Sequence, residues 1–378
     1  MSELTCDVLV VGGGMAGASL GAAVAAERRV ILVEAEPQLA QHSTGRSAAV
    51  YLPSYGGPVV RLLTVASRVL YDQISEERSD PLLRPRPLLW VSIDDASEHA
   101  VRTLAAESGA LELLDTAAAL ELCSALRPER VRGAGLDAGG MEIEVAGLHQ
   151  AYLQRLRRNG GTVLTTAPVG SITRQTHGWQ VTAGEDRIRA GTIVDAAGAW
   201  ADEIAARAGV AGIGLVPRRR TAFISPVHGA FPDLAGWPLV NDGAERWYFK
   251  PDSGGRLLIS PADEAPSEPC DARPEELEIA RAIEEINEVT SLGIRSVSHA
   301  WAGLRSFVAD GAPVVGAWPD EPDFFFYAGQ GGYGIQMAPA LAELGRALLL
   351  TGSVPPRLAA AGIDAAAVGP GRLAPRPA

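Results

Sequence analysis

With 378 residues, 47% of them hydrophobic and 21% charged, the chain is long enough for two domains with substantial cores and has the makeup of an ordinary globular protein. Its formal net charge of −12 leaves no basic stripe to neutralise phosphates, which argues against a nucleic-acid partner; Arg218-Arg219-Arg220 is the densest basic cluster. Three cysteines without metal-ligand spacing and six scattered histidines point to no metal, no disulfide framework and a reducing, cytoplasmic setting.

The first elements along the chain carry the strongest signal. Val8-Leu9-Val10-Val11 is followed by Gly12-x-Gly14-x-x-Gly17, an alanine-rich segment, and Val30-Ile31-Leu32-Val33 ending on Glu34. Strand, glycine turn, helix and second strand follow from this order. Gly12 permits a turn that a Cβ would block, Gly14 lets the backbone approach a pyrophosphate, and Gly17 lets the helix pack closely on the strand. The positive end of the helix then faces the phosphates. Glu34 can accept hydrogen bonds from the ribose hydroxyls of an adenosine. Val8 to Ala26 carries no charge, yet Gly12, Gly13, Gly14, Gly17 and Gly21 make a poor membrane helix and no basic segment precedes it, so no membrane span is expected.

A helix from about Pro58 to Ser75 comes next, with Val59, Leu62, Leu63, Ala66, Val69 and Leu70 on one face. Leu88 to Ile93 reads as a strand, Asp94 to Ser108 as a helix with Asp94 or Asp95 as N-cap, and Ala117 to Leu122 as another helix. After glycine-rich turns, Gly147 to Arg158 is helical and Thr162 to Thr166 is a buried strand; these two return to the first sheet, so the nucleotide domain is discontinuous. Gly170 to Arg174 and Trp179 to Ala183 form a hairpin-like meander, and Ala190 to Ala197 is an apolar strand. From Arg219 to Ser260 the alternation is that of a β-rich second domain. It is followed by a lone helix, Pro274 to Thr290, with Leu277, Ile279, Ala280, Ile283 and Ile286 on its buried side. The strand Phe324 to Ala328 leads into Gly329-Gln330-Gly331-Gly332-Tyr333-Gly334, and a helix continues to Leu350. No internal repeat is visible. The expected division is a Rossmann-like α/β nucleotide domain (1–80, 142–215 and 300–355), a β-sheet-rich α+β domain (81–141 and 216–299), and a loosely ordered Pro/Ala/Gly-rich tail (356–378).

Five further blocks narrow the class: His42-Ser-Thr-Gly-Arg-Ser-Ala-Ala49, Asp195-Ala-Ala-Gly-Ala-Trp200, Tyr248-Phe-Lys-Pro251, the run from Trp301 to Gly311, and Gln330-Gly-Gly-Tyr-Gly-Ile-Gln336. With them the chain resembles the FAD-dependent oxidoreductases of the D-amino acid oxidase superfamily from Val8 to about Leu348, and within that group the bacterial D-arginine dehydrogenase type. The resemblance implies non-covalent FAD extended across the first domain, with the flavin facing a β-sheet of the second. It assigns Gly12, Gly14, Ala16 and Gly17 to the pyrophosphate and Glu34 and Ala35 to the adenosine ribose. Ser43, Thr44, Arg46, Ser47 and Ala48 go to the ribityl and flavin region, with Val169, Ala197 and Gly198 along the cofactor. Gly331, Gly332, Tyr333, Gly334 and Ile335 would give backbone N–H groups to the flavin at a helix N-terminus, where a positive helix end stabilises developing negative charge.

The same resemblance makes Arg305 and Arg220 the clamp for a substrate carboxylate, a task suited to the guanidinium fork, with Tyr55 and Tyr248 as active-site tyrosines. Taken as residues alone, Arg305 has the alternative of a surface or interdomain salt bridge, Arg220 that of one member of a basic corner with Arg218 and Arg219, and a buried tyrosine is more often packing. Gln336 is either pocket wall or helix surface, Trp90 and Trp247 are walls or core, and His42 packs near the cofactor. Members that favour basic D-amino acids carry histidine, threonine and glutamate where this chain has Val50, Leu52 and Leu88. An apolar or bulky side chain is therefore expected in the substrate, since a cation buried against leucine lacks a partner. The implied reaction is hydride transfer from Cα to flavin N5, giving an imine and then a 2-oxo acid and ammonia. A quinone or similar acceptor is expected because Arg256 to Ser260 lacks the lysine of sarcosine-oxidase-like relatives. A secondary-amine, glycine or sarcosine oxidase using O2, a non-catalytic flavin protein and, on the opening motif alone, an NAD enzyme remain the alternatives.

Overall fold

The computed structural model describes residues 3–373. Its first sheet runs Val169–Arg174, Trp179–Ala183, Asp186–Asp195, Glu3–Val11, Val30–Val33, Thr162–Leu164, and Glu321–Ala328 also pairs in parallel with Asp186–Asp195. Alternate residues of the first strand face opposite layers. Val8 and Val10 pack with Leu20, Leu156 and Leu344 from the helices Met15–Val24, Val145–Arg158 and Ala338–Thr351. Leu9 and Val11 pack with Val181, Ile204 and Phe326 on the other side. The helix Val145–Arg158 and the strand Thr162–Leu164 do return to this sheet, the strand pairing in parallel with Val30–Val33. That strand is shorter and less buried than the apolar run suggests, ending before Thr166, whose φ of +54° leaves the extended region.

The second sheet runs His299–Phe307, Val216–Pro226, Arg256–Ser260, Tyr248–Asp252, Leu239–Asp242, Leu88–Ser92, Gly133–Asp137, Glu112–Leu114. One face buries Phe223, Val240, Phe249 and Ile259 against Ile279, Ala282, Ile286 and Val289 of the helix Glu276–Val289. The buried stripe of this helix is shifted from the expected one: Leu277 is 78% exposed. Asp94 is the N-cap of Asp95–Ser108, accepting from the Ser97 N–H while the Ser97 hydroxyl accepts from the Asp94 N–H. Between the sheets, Val50–Tyr51, Met141–Ile143 and Leu83–Pro85 form a small third sheet.

Two boundaries differ from the sequence expectation. The strand His299–Phe307 hydrogen-bonds along Val216–Pro226, so residues 300–307 belong to the second sheet and not to the nucleotide-binding segment that begins at 300 in the expected division. The tail is not loose from residue 356: Pro356–Ala360 is helical, and Leu358, Ile363 and Val368 are buried in the core of the first domain. Spaced apolar side chains outweigh the Pro/Ala/Gly composition there; positions 374–378 lie outside the described residues. Among the described residues no helix is long and apolar enough to cross a membrane.

Candidate active site

A cleft of about 510 Å³ runs between the two sheets. Its first wall is the glycine turn. Gly12 has φ +108°, and a Cβ there would run into the carbonyl oxygen of Ala196 on the neighbouring strand. A Cβ on Gly17 would collide with the Gly12 carbonyl, so the helix can start against the turn only with glycine at this position. Glu34 braces the same turn: one carboxylate oxygen accepts the Gly13 N–H at 2.7 Å and the other the Glu36 N–H at 3.0 Å. From beneath, His149 Nε2 donates to the Gly13 carbonyl at 2.9 Å, and burial keeps this imidazole below its ordinary pKa and neutral. His149 had no sequence signal, since it reaches the turn from a helix 136 residues further along the chain.

Gly12, Gly14, Ala16, Glu34, Ala35, Ser43, Thr44, Arg46, Ser47, Ala48, Val169, Ala197, Gly198, Gly331, Gly332, Gly334 and Ile335 all line the cleft. Gly17 lies behind the turn, and the ring of Tyr333 packs on Tyr55 and Phe307. Several of the polar side chains are occupied by protein. Thr44 Oγ1 accepts the Met15 N–H at 2.9 Å, and Ser43 Oγ donates to the Leu304 carbonyl at 2.6 Å. Arg46 donates to the carbonyls of Gln41, Ala272 and Ala302 and pairs with Asp271. Thr44 thus ties this segment to the helix after the glycine turn, while Ser43 and Arg46 tie it to the strand His299–Phe307 of the second sheet. The helix after the Gly331–Ile335 loop begins only at Ala338, so the N–H groups of the loop are those of a turn and not of a helix end.

The opposite wall comes from strand register. Arg218 pairs with Arg305 and Arg220 with Gly303, so Arg305 and Arg220 stand as diagonal neighbours on one face of the sheet. Both line the cleft together with Tyr248. Arg305 has no acidic partner among the described residues. Burial works against its charge, but the phenols of Tyr55, Tyr248 and Tyr333 around it prevail and raise its pKa. A Cβ on Gly332 would lie 2.8 Å from the Arg305 guanidinium, so glycine there gives the arginine its room. Arg220 is 8% exposed, pairs through Nη2 with Glu264, and keeps a buried Nε without a partner.

Tyr55 donates its hydroxyl to Glu245 at 2.9 Å. Burial, reinforced by Glu245 and opposed by Arg305 and Arg220, drives its pKa up, so the phenol stays protonated. Val50, Leu52 and Leu88 pack with Trp90, Leu239, Tyr248 and Leu258 into an apolar wall of which only Tyr248 lines the cleft, so the three residues expected to shape the substrate pocket stand behind its surface. Trp90 belongs to this wall, whereas Trp247 stacks on Phe249 in the core on the far face of the sheet. Gln336 is not an open pocket residue: it accepts the Leu52 N–H at 3.2 Å and donates to Thr64 at 3.0 Å, so both ends of its amide hold the loop above the wall. His42 pairs with Glu36 at 2.9 Å and lies against Trp200.

Fold and cleft together define a two-domain dinucleotide enzyme with a cationic second wall. The DAO family model, described as FAD dependent oxidoreductase, matches residues 7–348, and the chain belongs to this family. It is 25% identical over 375 residues to glycine oxidase of Pseudomonas putida, covering 92% of this chain and 95% of that one. It is 29% identical over 226 residues to glycine oxidase of Bacillus licheniformis, covering 57% of this chain and only 56% of that protein. The solved L-proline dehydrogenase of P. horikoshii superposes with a TM-score of 0.82 over 93% of this chain and 95% of that one at 20% identity, a likeness of fold. FAD is accordingly the cofactor, and the cleft fits it: the turn that admits only glycine at Gly12 and Gly17, Glu34 at the end of the second strand, and the cleft-lining Gly331–Ile335 loop each suit one part of an extended dinucleotide.

Proposed function

We propose that this FAD-dependent oxidoreductase oxidises the Cα–N bond of a D-amino acid with an apolar or bulky, non-basic side chain. Arg305 carries the proposal: a guanidinium in the cleft, ringed by three phenols and without an acidic partner among the described residues, is a site waiting for an anion. Arg305 and Arg220 fix the substrate carboxylate and Tyr248 supports it, which orients the α-hydrogen toward the cofactor groove. FAD held there without a covalent bond supplies the two-electron acceptor. The protonated Tyr55 is no base, so the substrate amine loses its proton to water before oxidation. Water then converts the imine product to a 2-oxo acid and ammonia.

A dehydrogenase passing electrons to a quinone-like acceptor is favoured over an oxidase. Arg256–Ser260 holds no lysine, and the only lysine of the chain, Lys250, is engaged at 2.9 Å by Glu142. The likeness to glycine oxidases supports a second reading, an O2-using oxidase of glycine or a secondary amine. Anaerobic mixing of the yellow protein with paired D- and L-amino acids, glycine, sarcosine and proline separates the two. Bleaching by bulky D-amino acids and little peroxide in air is the expected result; faster bleaching by glycine or sarcosine, or by D-arginine than by D-leucine, would overturn it.

A further inference from the structure

On the same face of the second sheet as the cleft residue Tyr248, two buried polar atoms have no partner among the described residues. Asn241 is 7% exposed and its Oδ1 accepts no hydrogen bond; Trp90 is 2% exposed and its indole Nε1–H donates none. Buried polar atoms are nearly always paired, so two such atoms together call for a specific reason. They are neighbours: Asn241 pairs in register with Trp90 on one side and with Tyr248 on the other. Side chains in register on adjacent strands share a face, so Tyr248, Asn241 and Trp90 stand in one row, with strands about 4.8 Å apart. Tyr248 lines the cleft; Asn241 and Trp90 do not, and they continue the row from Tyr248 along the sheet, away from the strands of Arg220 and Arg305. Hydrocarbon surrounds the row, with Leu88, Leu239, Leu258 and Leu52 packed in the same cluster and the Tyr55 ring 6.0 Å from that of Trp90.

We propose that Asn241 and Trp90 read the end of the substrate side chain, and that the preferred substrate carries there a neutral group able both to donate and to accept a hydrogen bond, a carboxamide or a hydroxyl on a short aliphatic stem. This rests on the amino-acid reading above: it keeps the exclusion of basic side chains and puts a neutral polar group where that reading has an apolar one. A substrate N–H or O–H satisfies Asn241 Oδ1, and a substrate oxygen satisfies the Trp90 N–H. A hydrocarbon end leaves both atoms unpaired, and an ammonium offers Trp90 no acceptor. A carboxylate offers Asn241 Oδ1 no donor and brings a charge against the leucines.

Leucine, asparagine and aspartate side chains have nearly the same shape, so their D-forms isolate the hydrogen bonds. With the FAD-loaded wild-type enzyme, kcat/KM for D-asparagine should exceed that for D-leucine and for D-aspartate by at least about 10-fold, because a site built around hydrogen bonds rejects isosteres that lack them. In Asn241→Leu, which keeps the shape and removes the acceptor, the D-asparagine to D-leucine ratio should fall toward one, and Trp90→Phe should lower it part of the way. Should either variant fail to retain FAD, the wild-type comparison decides alone. D-leucine or D-aspartate matching D-asparagine in the wild type, or a ratio unmoved in Asn241→Leu, overturns the inference while the amino-acid reading stands. Failure of every D-amino acid to bleach the flavin overturns that reading itself.

Discussion

Replacing Arg305 by methionine removes the group on which the proposed substrate anchoring depends. The arginine has no acidic partner among the described residues, so its loss strands no carboxylate and the folded protein should retain FAD and melt within a few degrees of the wild type. The damage falls on the substrate. A bidentate guanidinium–carboxylate contact amounts to two charge-assisted hydrogen bonds of about 1.5–3 kcal/mol each, of which about 3–5 kcal/mol in total is a reasonable loss. At about 1.4 kcal/mol per tenfold, kcat/KM should drop by about two to three and a half powers of ten. Arg305→Lys keeps the charge without the fork and should fall between the two. Anaerobic stopped-flow reduction at rising substrate concentration separates binding from the chemical step. Weaker binding accompanied by a lower limiting rate is expected, because the clamp both holds and orients the amino acid. A fully flavinated Arg305→Met enzyme with kcat/KM within about threefold of the wild type would refute the carboxylate clamp.

Gly17→Ala places a methyl group against the Gly12 carbonyl, which is backbone and cannot yield, so the purified variant should lose its flavin absorbance relative to protein. Leu88→Glu, at a fully buried position in the apolar wall, should shift the ratio of kcat/KM for D-arginine over D-leucine upward by about 10-fold or more, since a buried guanidinium then gains a partner; an unchanged ratio would remove Leu88 from the specificity wall. Lys250→Met breaks a largely buried pair with Glu142 and should cost about 2–3 kcal/mol in urea unfolding at pH 7. Burial alone would raise the Glu142 pKa, but Lys250 and Arg86 prevail and hold it below the ordinary carboxylate value. The stability it contributes is therefore present above about pH 4.3 and is lost as pH falls through the depressed value, so the gap between wild type and Lys250→Met should close over that acidic range.

How much of this molecule could be read in its sequence depends on how local the determinant is. The glycine turn is legible because strand, turn and helix are contiguous and each glycine answers a backbone constraint, as the Gly12 φ of +108° and the closed space at Gly17 bear out. The return of Thr162–Leu164 to the first sheet was visible as a buried run after a helix, though not where it stops. The order of the tail is not legible, because its composition hides three widely spaced apolar side chains that only a folded core can gather.

At the second wall, the run Arg218-Arg219-Arg220 is sorted by the period of a strand: the middle residue turns away, where Arg219 meets Asp263 and Glu275, while Arg220 enters the cleft. That much follows from alternation. What alternation cannot provide is the difference between Arg220, already paired with Glu264, and Arg305, free of acids, because it is set by a turn 44 residues further along the chain. The same holds for Gln336, whose amide is committed to Leu52 and Thr64, and for Asn241, whose amide oxygen is committed to nothing. Residue type identifies the groups capable of recognition; the hydrogen-bond partners each already has decide which remain available to a substrate, and on that availability rest the roles proposed for Arg305, Asn241 and Trp90.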